Sequence, residues 1–134
     1  MKYRHEMTVR MYDTDAAGIL YFGNQFRFVH DAFESLMARE GFSFQRFFDS
    51  EPFLFVIIHA ESDYIASLHV GDDIVVETWV QTIGTTSFQI CYDIYRGIQL
   101  MGRSKTVHVC ISKQTRAKEP LPPQIRSFLE RYTA

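Results

Sequence analysis

The sequence predicts an α+β fold in which one long helix and one five-stranded antiparallel sheet bury each other. Three observations predict it. Apolar and polar residues alternate over residues 3–12, and the apolar spacing changes to three and four residues from about Asn24. Beyond that helix, four strand-like segments follow one another with only turns between them. Runs of strands, as opposed to strands alternating with helices, specify an antiparallel sheet. Finally, 134 residues that are 46% hydrophobic and 15% aromatic, with twelve Phe and seven Tyr, suffice for one domain with a sizeable core.

The first strand is read over residues 3–12, with Tyr3, His5, Met7, Val9 and Met11 on one face. The segment "DTDAAG" breaks it. Phe26, Val29, Ala32, Phe33, Leu36 and Met37 then recur at helical spacing, with Asn24 as N-cap and Gly41 just past the end. Phe28 widens the apolar stripe, so this helix is expected to be buried around much of its circumference. "SFQRFF" adds a short helical turn before Pro52. Four strand segments follow: a long, largely apolar one at 53–69, the β-branched run 74–83 after the Gly71-Asp72-Asp73 turn, 87–95 after Gly84-Thr85-Thr86, and 103–113 after a connection "RGIQLMG". In the last of these Val107, Val109 and Ile111 share one face, opposite His108, Cys110 and Ser112. "PLPPQIRSFLERY" reads as a proline-punctuated loop and a short C-terminal helix.

Totals exclude several classes. A net charge of -2 supplies no basic field for nucleic acid. Cys91 and Cys110 are too few for a disulfide framework, and no His, Cys, Asp or Glu spacing makes a persuasive metal site. "MKYRHEMTVRMY" lacks the apolar segment of a signal peptide, and "FLFVII" is too short to span a membrane. The expected setting is cytoplasmic, without membrane attachment.

"YDTDAAGILYFGNQFRFVHDAFESLM" resembles the signature of the 4-hydroxybenzoyl-CoA thioesterase family of hotdog-fold proteins: an Asp-x-Asp pair, small residues, Gly, two aliphatics, aromatics, then Asn and the central helix. "SDYIASLHVGDDIVVET" and "TVHVCISKQTRAKEPLPPQIRSFL" are similar to later parts of the same pattern, so the resemblance covers nearly the whole chain. It implies that residues 1–134 form a single hotdog thioesterase domain acting on an acyl-CoA thioester without a cofactor. It also implies a homodimer or homotetramer with sites built from two subunits. Within the family, "HDAFES", "HAESDY", "HVGD", "HVCI" and "PLP" resemble the 1,4-dihydroxy-2-naphthoyl-CoA thioesterases of quinone biosynthesis.

Thioester hydrolysis needs a group that delivers or activates a nucleophile and donors for the developing oxyanion. Asp15 can supply the first, either by attacking the thioester carbon or as general base on water. The start of the Asn24–Glu40 helix can supply the second, because its N–H groups are unpaired and its dipole end is positive. The family resemblance assigns this role to the backbone N–H of Phe22; losing one such donor costs ~10²–10³ in rate. Taken alone, "DTD" is more often a turn or cap than a catalytic pair; the full motif reverses that order for Asp15 and leaves Asp13 as the structural member. Much of the family has His or Tyr where this chain has Phe22. A phenyl ring fits either an apolar acyl pocket or the core.

Gly18, Tyr21 and His59 are the candidate substrate-binding residues, with a positive φ or close ligand approach expected at Gly18. His59 lines the acyl pocket or, as the commoner reading, is a satisfied core histidine. His30 and Glu34, four apart, share a helix face and are expected to form a solvated or structural contact more often than a second layer of the site. The Gly84-Thr85-Thr86 turn carries no charge for coenzyme A phosphates, so Lys113, Arg116 and Lys118, with Arg103 and Lys105, are the phosphate candidates. Competing readings are hydrolysis of short-chain or 4-hydroxybenzoyl-type CoA esters or of acyl-carrier-protein thioesters, and a hotdog protein that binds acyl-CoA without hydrolysing it.

Overall fold

The computed structural model describes residues 1–134. Its elements in chain order are β1 (Tyr3–Thr8), α1 (Asn24–Arg39), α2 (Phe44–Asp49), β2 (Phe53–Tyr64), β3 (Asp73–Ile83), β4 (Ser87–Arg96), β5 (Gln99–Ser112) and α3 (Pro123–Arg131). All five strands form one antiparallel sheet in the order β1-β3-β4-β5-β2. The first two strands therefore occupy opposite edges. The chain can join them only by crossing the sheet, and α1 makes that crossing. This is the hotdog arrangement that the family resemblance implies.

Helical periodicity places α1 correctly, and its buried side chains, Phe28, Val29, Ala32, Phe33, Leu36 and Met37, meet Val76, Phe88, Ile90, Tyr92 and Ile94 on the inner face of the sheet. Gly41 follows the helix at φ +88°, a left-handed conformation that glycine adopts without steric cost. The high aromatic content goes largely into this core. Phe47 of α2 packs edge-on against Phe53 at 5.4 Å, and Phe128 of α3 stacks on Phe42 at 5.9 Å. At the C-terminal end of the chain, the Val80 N–H donates to Tyr132 O (2.8 Å) and moors the tail to β3.

Four sequence expectations are corrected. The strand segment read over 53–69 ends at Tyr64, and residues 65–72 connect it to β3. The first strand ends at Thr8, not residue 12; Met11–Asp13 curls into a 3₁₀ turn that leaves Met11 and Tyr12 exposed. The cause is Asp13, whose carboxylate accepts the Arg10 N–H at 2.9 Å and draws the chain into the turn. Asn24 is not the N-cap: Gly23 holds that position, and the Asn24 side chain is spent donating to Asp13 O at 2.8 Å. The "RGIQLMG" connection is shorter than its sequence suggests. A tight turn at Gly97-Ile98 suffices, and β5 starts at Gln99.

Replacing Phe33 by Ala removes a buried ring that touches both α2 and the sheet. The expected loss is about 3–5 kcal/mol of unfolding free energy, read from the urea midpoint at fixed protein concentration.

Candidate active site

The loop between β1 and α1 is organised by Asp13. Its side chain is fully buried. One carboxylate oxygen accepts from Arg27 Nε (3.1 Å) and Nη2 (2.5 Å), the other from the Arg10 N–H. Its backbone carbonyl accepts the Tyr21 N–H (3.0 Å) and the Asn24 side chain. One residue thus ties the end of the 3₁₀ turn to the first two turns of α1. That is the structural part expected of it.

Asp15 sits on the exposed side of the same loop. Its N–H donates to Ile19 O (2.9 Å), and its carbonyl accepts the Gly18 N–H (3.0 Å). Gly18 takes φ +74°, the positive value expected of it. Oδ1 of Asp15 accepts the Ala17 N–H at 2.9 Å, a side-chain-to-backbone turn typical of aspartate. Oδ2 has no protein partner. The turn and catalytic readings of Asp15 are therefore compatible: one oxygen orients the carboxylate and the other stays available.

At the start of α1 the N–H groups of Tyr21, Asn24, Gln25 and Phe26 all find carbonyl acceptors. Those of Phe22 and Gly23 find none, and no side chain caps the helix. The Phe22 carbonyl is held by the Tyr64 hydroxyl at 2.6 Å, which sets the orientation of this peptide from β2. The Phe22 ring is 64% exposed and lies 4.8 Å from that of Tyr21, itself exposed, so the core-packing reading of Phe22 is ruled out.

Other candidates separate. His59 is exposed on the edge strand next to a bulge and pairs with Glu61 at 3.2 Å; it is neither a core histidine nor a lining of any cavity beside α1. An edge strand has water on one side, which alternation alone does not reveal. His30 and Glu34 form no bond; Asp31 of the same helix instead pairs with His5 of β1 at 2.8 Å. Lys113 is tied to Phe47 O, and Arg103 to Asp93 at 3.0 Å. Arg116 and Lys118 remain exposed on the loop after β5. Sequence reasoning missed Arg126. It reaches from α3 to Gly84 O (2.6 Å) and gives the uncharged β3–β4 turn a cation from 42 residues away. The tail passes the same turn, where the Leu121 N–H donates to Thr85 O (2.9 Å).

Two apolar hollows flank the start of α1, each about 300 Å³. One is shaped by Ile19, Leu20, Phe22, Tyr64 and Ile65. The other lies between α1 and the β2 side of the sheet, walled by Phe26, Val29, Ile57 and Ala60, with Arg27 and His30 also lining it. Tyr92, Thr106 and His108 line this second hollow from the sheet. Sequence alternation gave no sign that the His108 row, and not the Val107 row, faces the helix. Burial, and secondarily the charge of His30, pushes His108 down to about 3, so the ring is neutral near pH 7. A larger hollow of about 430 Å³, lined by Trp79, Asp93, Arg103 and Lys105 among others, opens on the opposite face of the sheet, away from Asp15 and the helix start.

A carboxylate with one free oxygen, two free N–H groups at a helix start and an apolar cavity beside them, on this fold, define a thioesterase-like protein. The pattern of the thioesterase-like superfamily matches residues 9–129, and the chain belongs to that superfamily. It is 34% identical over 130 residues to the 1,4-dihydroxy-2-naphthoyl-CoA hydrolase of Nostoc punctiforme, covering 97% of this chain and 88% of that one. It is 32% identical to the enzyme of the same name from Synechococcus elongatus, covering 96% and 95%. The crystal structure of a 1,4-dihydroxy-2-naphthoyl-CoA thioesterase from Synechocystis superposes with a TM-score of 0.90 at 31% identity, over 96% of each chain.

Asp13→Asn keeps the shape but removes the charge that Arg27 meets. A loss of about 1.5–3 kcal/mol is expected, measured by thermal or urea unfolding. His108 should also leave a mark on the pH dependence of stability. Its folded pKa lies below its unfolded value of 6.5, so the unfolded chain takes up the proton first. The contribution is complete above about pH 6.5 and is lost toward pH 3, at up to about 1.4 kcal/mol per pH unit. Urea unfolding across that range should show a shallower slope for His108→Phe than for the wild type.

Proposed function

We propose that this protein is an acyl-CoA thioesterase that hydrolyses an aromatic acyl-CoA, specifically the 1,4-dihydroxy-2-naphthoyl thioester of quinone biosynthesis, to the free acid and coenzyme A. The full-length similarity to hydrolases of that name supports the substrate. The observation that carries the chemistry is the free Asp15 Oδ2 on the loop that leads into the unpartnered N–H groups of Phe22 and Gly23.

In this reading the thioester carbonyl oxygen lies against the Phe22 and Gly23 N–H groups. Charge moves onto that oxygen as the carbon becomes tetrahedral, and the helix end stabilises it without reorganising. Asp15 Oδ2 either adds to the carbonyl carbon, expelling the coenzyme A thiolate and leaving an acyl anhydride that water cleaves, or removes a proton from water as water adds. The Ala17 N–H on Oδ1 keeps the carboxylate aimed in either case. Both routes need only the thioester, Asp15 and water, with no metal or cofactor. Arg126 at the β3–β4 turn, with Lys118 and Arg116 beside the same tail, is the cationic group we assign to the coenzyme A phosphates; Lys113 is engaged elsewhere.

The β2 edge supports a homodimer. Its outer backbone groups are unpaired, and Ile57, Ile58 and Ile65 are 45%, 61% and 53% exposed on or just beyond it. An apolar, unpaired edge invites a second copy, and an antiparallel β2–β2 pairing about a two-fold axis would cover it. The same pairing would close the side of the cavity bounded by Ile57 and Ala60. No helix is long and apolar enough to cross a membrane; a cytoplasmic enzyme drawing on the coenzyme A pool fits the two free cysteines.

Thiol release from 1,4-dihydroxy-2-naphthoyl-, 4-hydroxybenzoyl-, benzoyl- and aliphatic CoA esters tests the reading, with Asp15→Asn alongside wild type. The naphthoyl ester should be turned over fastest, and the substitution should lower kcat by about 10²-fold or more. Turnover that survives the substitution would remove Asp15 from the mechanism. Binding of the esters without hydrolysis would make the protein an acyl-CoA-binding module.

A further inference from the structure

Beneath the cavity beside α1 lies a chain of three polar side chains for which hydrolysis has no use. Tyr92 Oη and Thr106 Oγ1 are 2.9 Å apart, and Thr106 Oγ1 and His108 Nε2 are 2.8 Å apart. All three residues are buried, with exposures of 1%, 5% and 2%. The Phe33 ring covers that of His108 at 4.4 Å, and Phe88, its cross-strand neighbour, lies parallel to it at 5.0 Å. Such a row in the middle of an aromatic core costs stability unless every polar atom is satisfied, and this one is not fully satisfied. His108 Nδ1 has no partner. Thr78 Oγ1 is the only side-chain polar atom that is both fully enclosed and unpartnered, so His108 Nδ1 borders open volume, and the open volume that His108 lines is the cavity.

We propose that the Tyr92–Thr106–His108 chain is the floor of the acyl pocket, and that His108 Nδ1 holds a ring hydroxyl remote from the thioester on an aromatic acyl group. The inference rests on the acyl-CoA thioesterase reading and adds the residues that select the acyl group. Position supports it. Phe26 and His30, four apart in α1, share one helix face and both line the cavity, with Phe26 the nearer of the two to the helix start. In the proposed pose an acyl carbonyl at the Phe22 and Gly23 N–H groups, just ahead of that helix, has its ring beside Phe26 and the far edge of the ring over the floor. Phe26, Val29, Ile57 and Ala60 give the cavity apolar surface that suits the ring faces, with Arg27 and His30 lining it from the helix.

Chemistry narrows the choice to a hydroxyl. Burial holds His108 neutral and pushes the Tyr92 hydroxyl up. If Tyr92 donates to Thr106 and Thr106 to His108 Nε2, then Nδ1 carries a hydrogen and donates. If the chain runs the other way, Nδ1 accepts. A hydroxyl suits both directions because it donates and accepts. A carboxylate only accepts, so it suits one direction alone. A plain hydrocarbon ring leaves Nδ1 buried without a partner.

The test compares 1,4-dihydroxy-2-naphthoyl-CoA with 1-hydroxy-2-naphthoyl-CoA, which lacks only the remote hydroxyl, under anaerobic conditions. Wild type should favour the first in kcat/KM by about tenfold or more. His108→Phe, which keeps the ring stack, and Thr106→Val, which matches threonine in shape, should bring the ratio close to one mainly by slowing the dihydroxy ester. A general loss of structure would lower both esters together and leave the ratio unchanged. Calorimetric binding of the two free acids runs in parallel. If neither ester is cleaved but the acids show the preference and the variants abolish it, the thioesterase reading fails and the pocket assignment stands. A wild type with no preference in turnover or binding, or a preference that both variants retain, overturns the assignment. Should His108→Phe fail to fold, the wild-type ratio and Thr106→Val decide.

Discussion

The buried carboxylate of Asp13 is the interaction on which the rest of the site depends. A charged group with no exposure is tolerable only if its neighbours compensate it, and here Arg27 and the Arg10 N–H do so. Its carbonyl at the same time collects Tyr21 and Asn24. The loop is thereby fastened at its entry and at its exit into α1. Asp15, two residues on, can then sit on the exposed side with one oxygen free, and the peptides of Phe22 and Gly23 keep their N–H groups unspent. Asn24 would ordinarily cap a helix, but Asp13 diverts its side chain. The uncapped helix end follows directly from that diversion.

A second constraint comes from topology. Because β1 and β2 are opposite edges of the sheet, the chain between them has to pass across its face, and the passage is a helix with one face buried against the sheet and the other, along Arg27, His30, Glu34 and Ala38, exposed. The apolar surface of α1 is covered by the sheet except toward β2, where the cavity lies. β2 is also the edge with exposed isoleucines. One side of the molecule thus carries the helix start, the cavity and the unpaired edge together. A second copy docked on that edge would finish both the interface and the walls of the site, which is a physical reason for activity and assembly to be linked.

The inner face of the sheet is not uniformly apolar. β3 and β4 present Val76, Ile90 and Ile94 to the helix, whereas the neighbouring part of β5 presents Thr106 and His108. A core optimised for stability alone would replace that row with aliphatic side chains. Its presence where the cavity meets the sheet, neutral and partly unsatisfied, marks a trade of stability for recognition of the kind found where a protein must distinguish similar ligands.

Much of this was legible in the chain itself. The switch from two-residue to helical spacing and the uninterrupted succession of strands are local features, and local features determine element type and helix position; the family resemblance carried by the Asp-x-Asp…Gly pattern added Asp15 and Phe22 as site candidates. Asp13 was separable from Asp15 as the structural member of the pair. What the sequence did not decide was everything set by contact between distant segments. Arg126 meets a turn far from it in the chain, and the Tyr64 hydroxyl orients a peptide at the helix start. His59 faces water because β2 happens to be an edge. His108 faces the helix because strand alternation defines two faces but not which of them is inward. Hydrophobic periodicity records how a segment meets its own surroundings on average; only the packing of the whole chain chooses which polar side chains are enclosed, and which of those are left with a free atom facing a cavity.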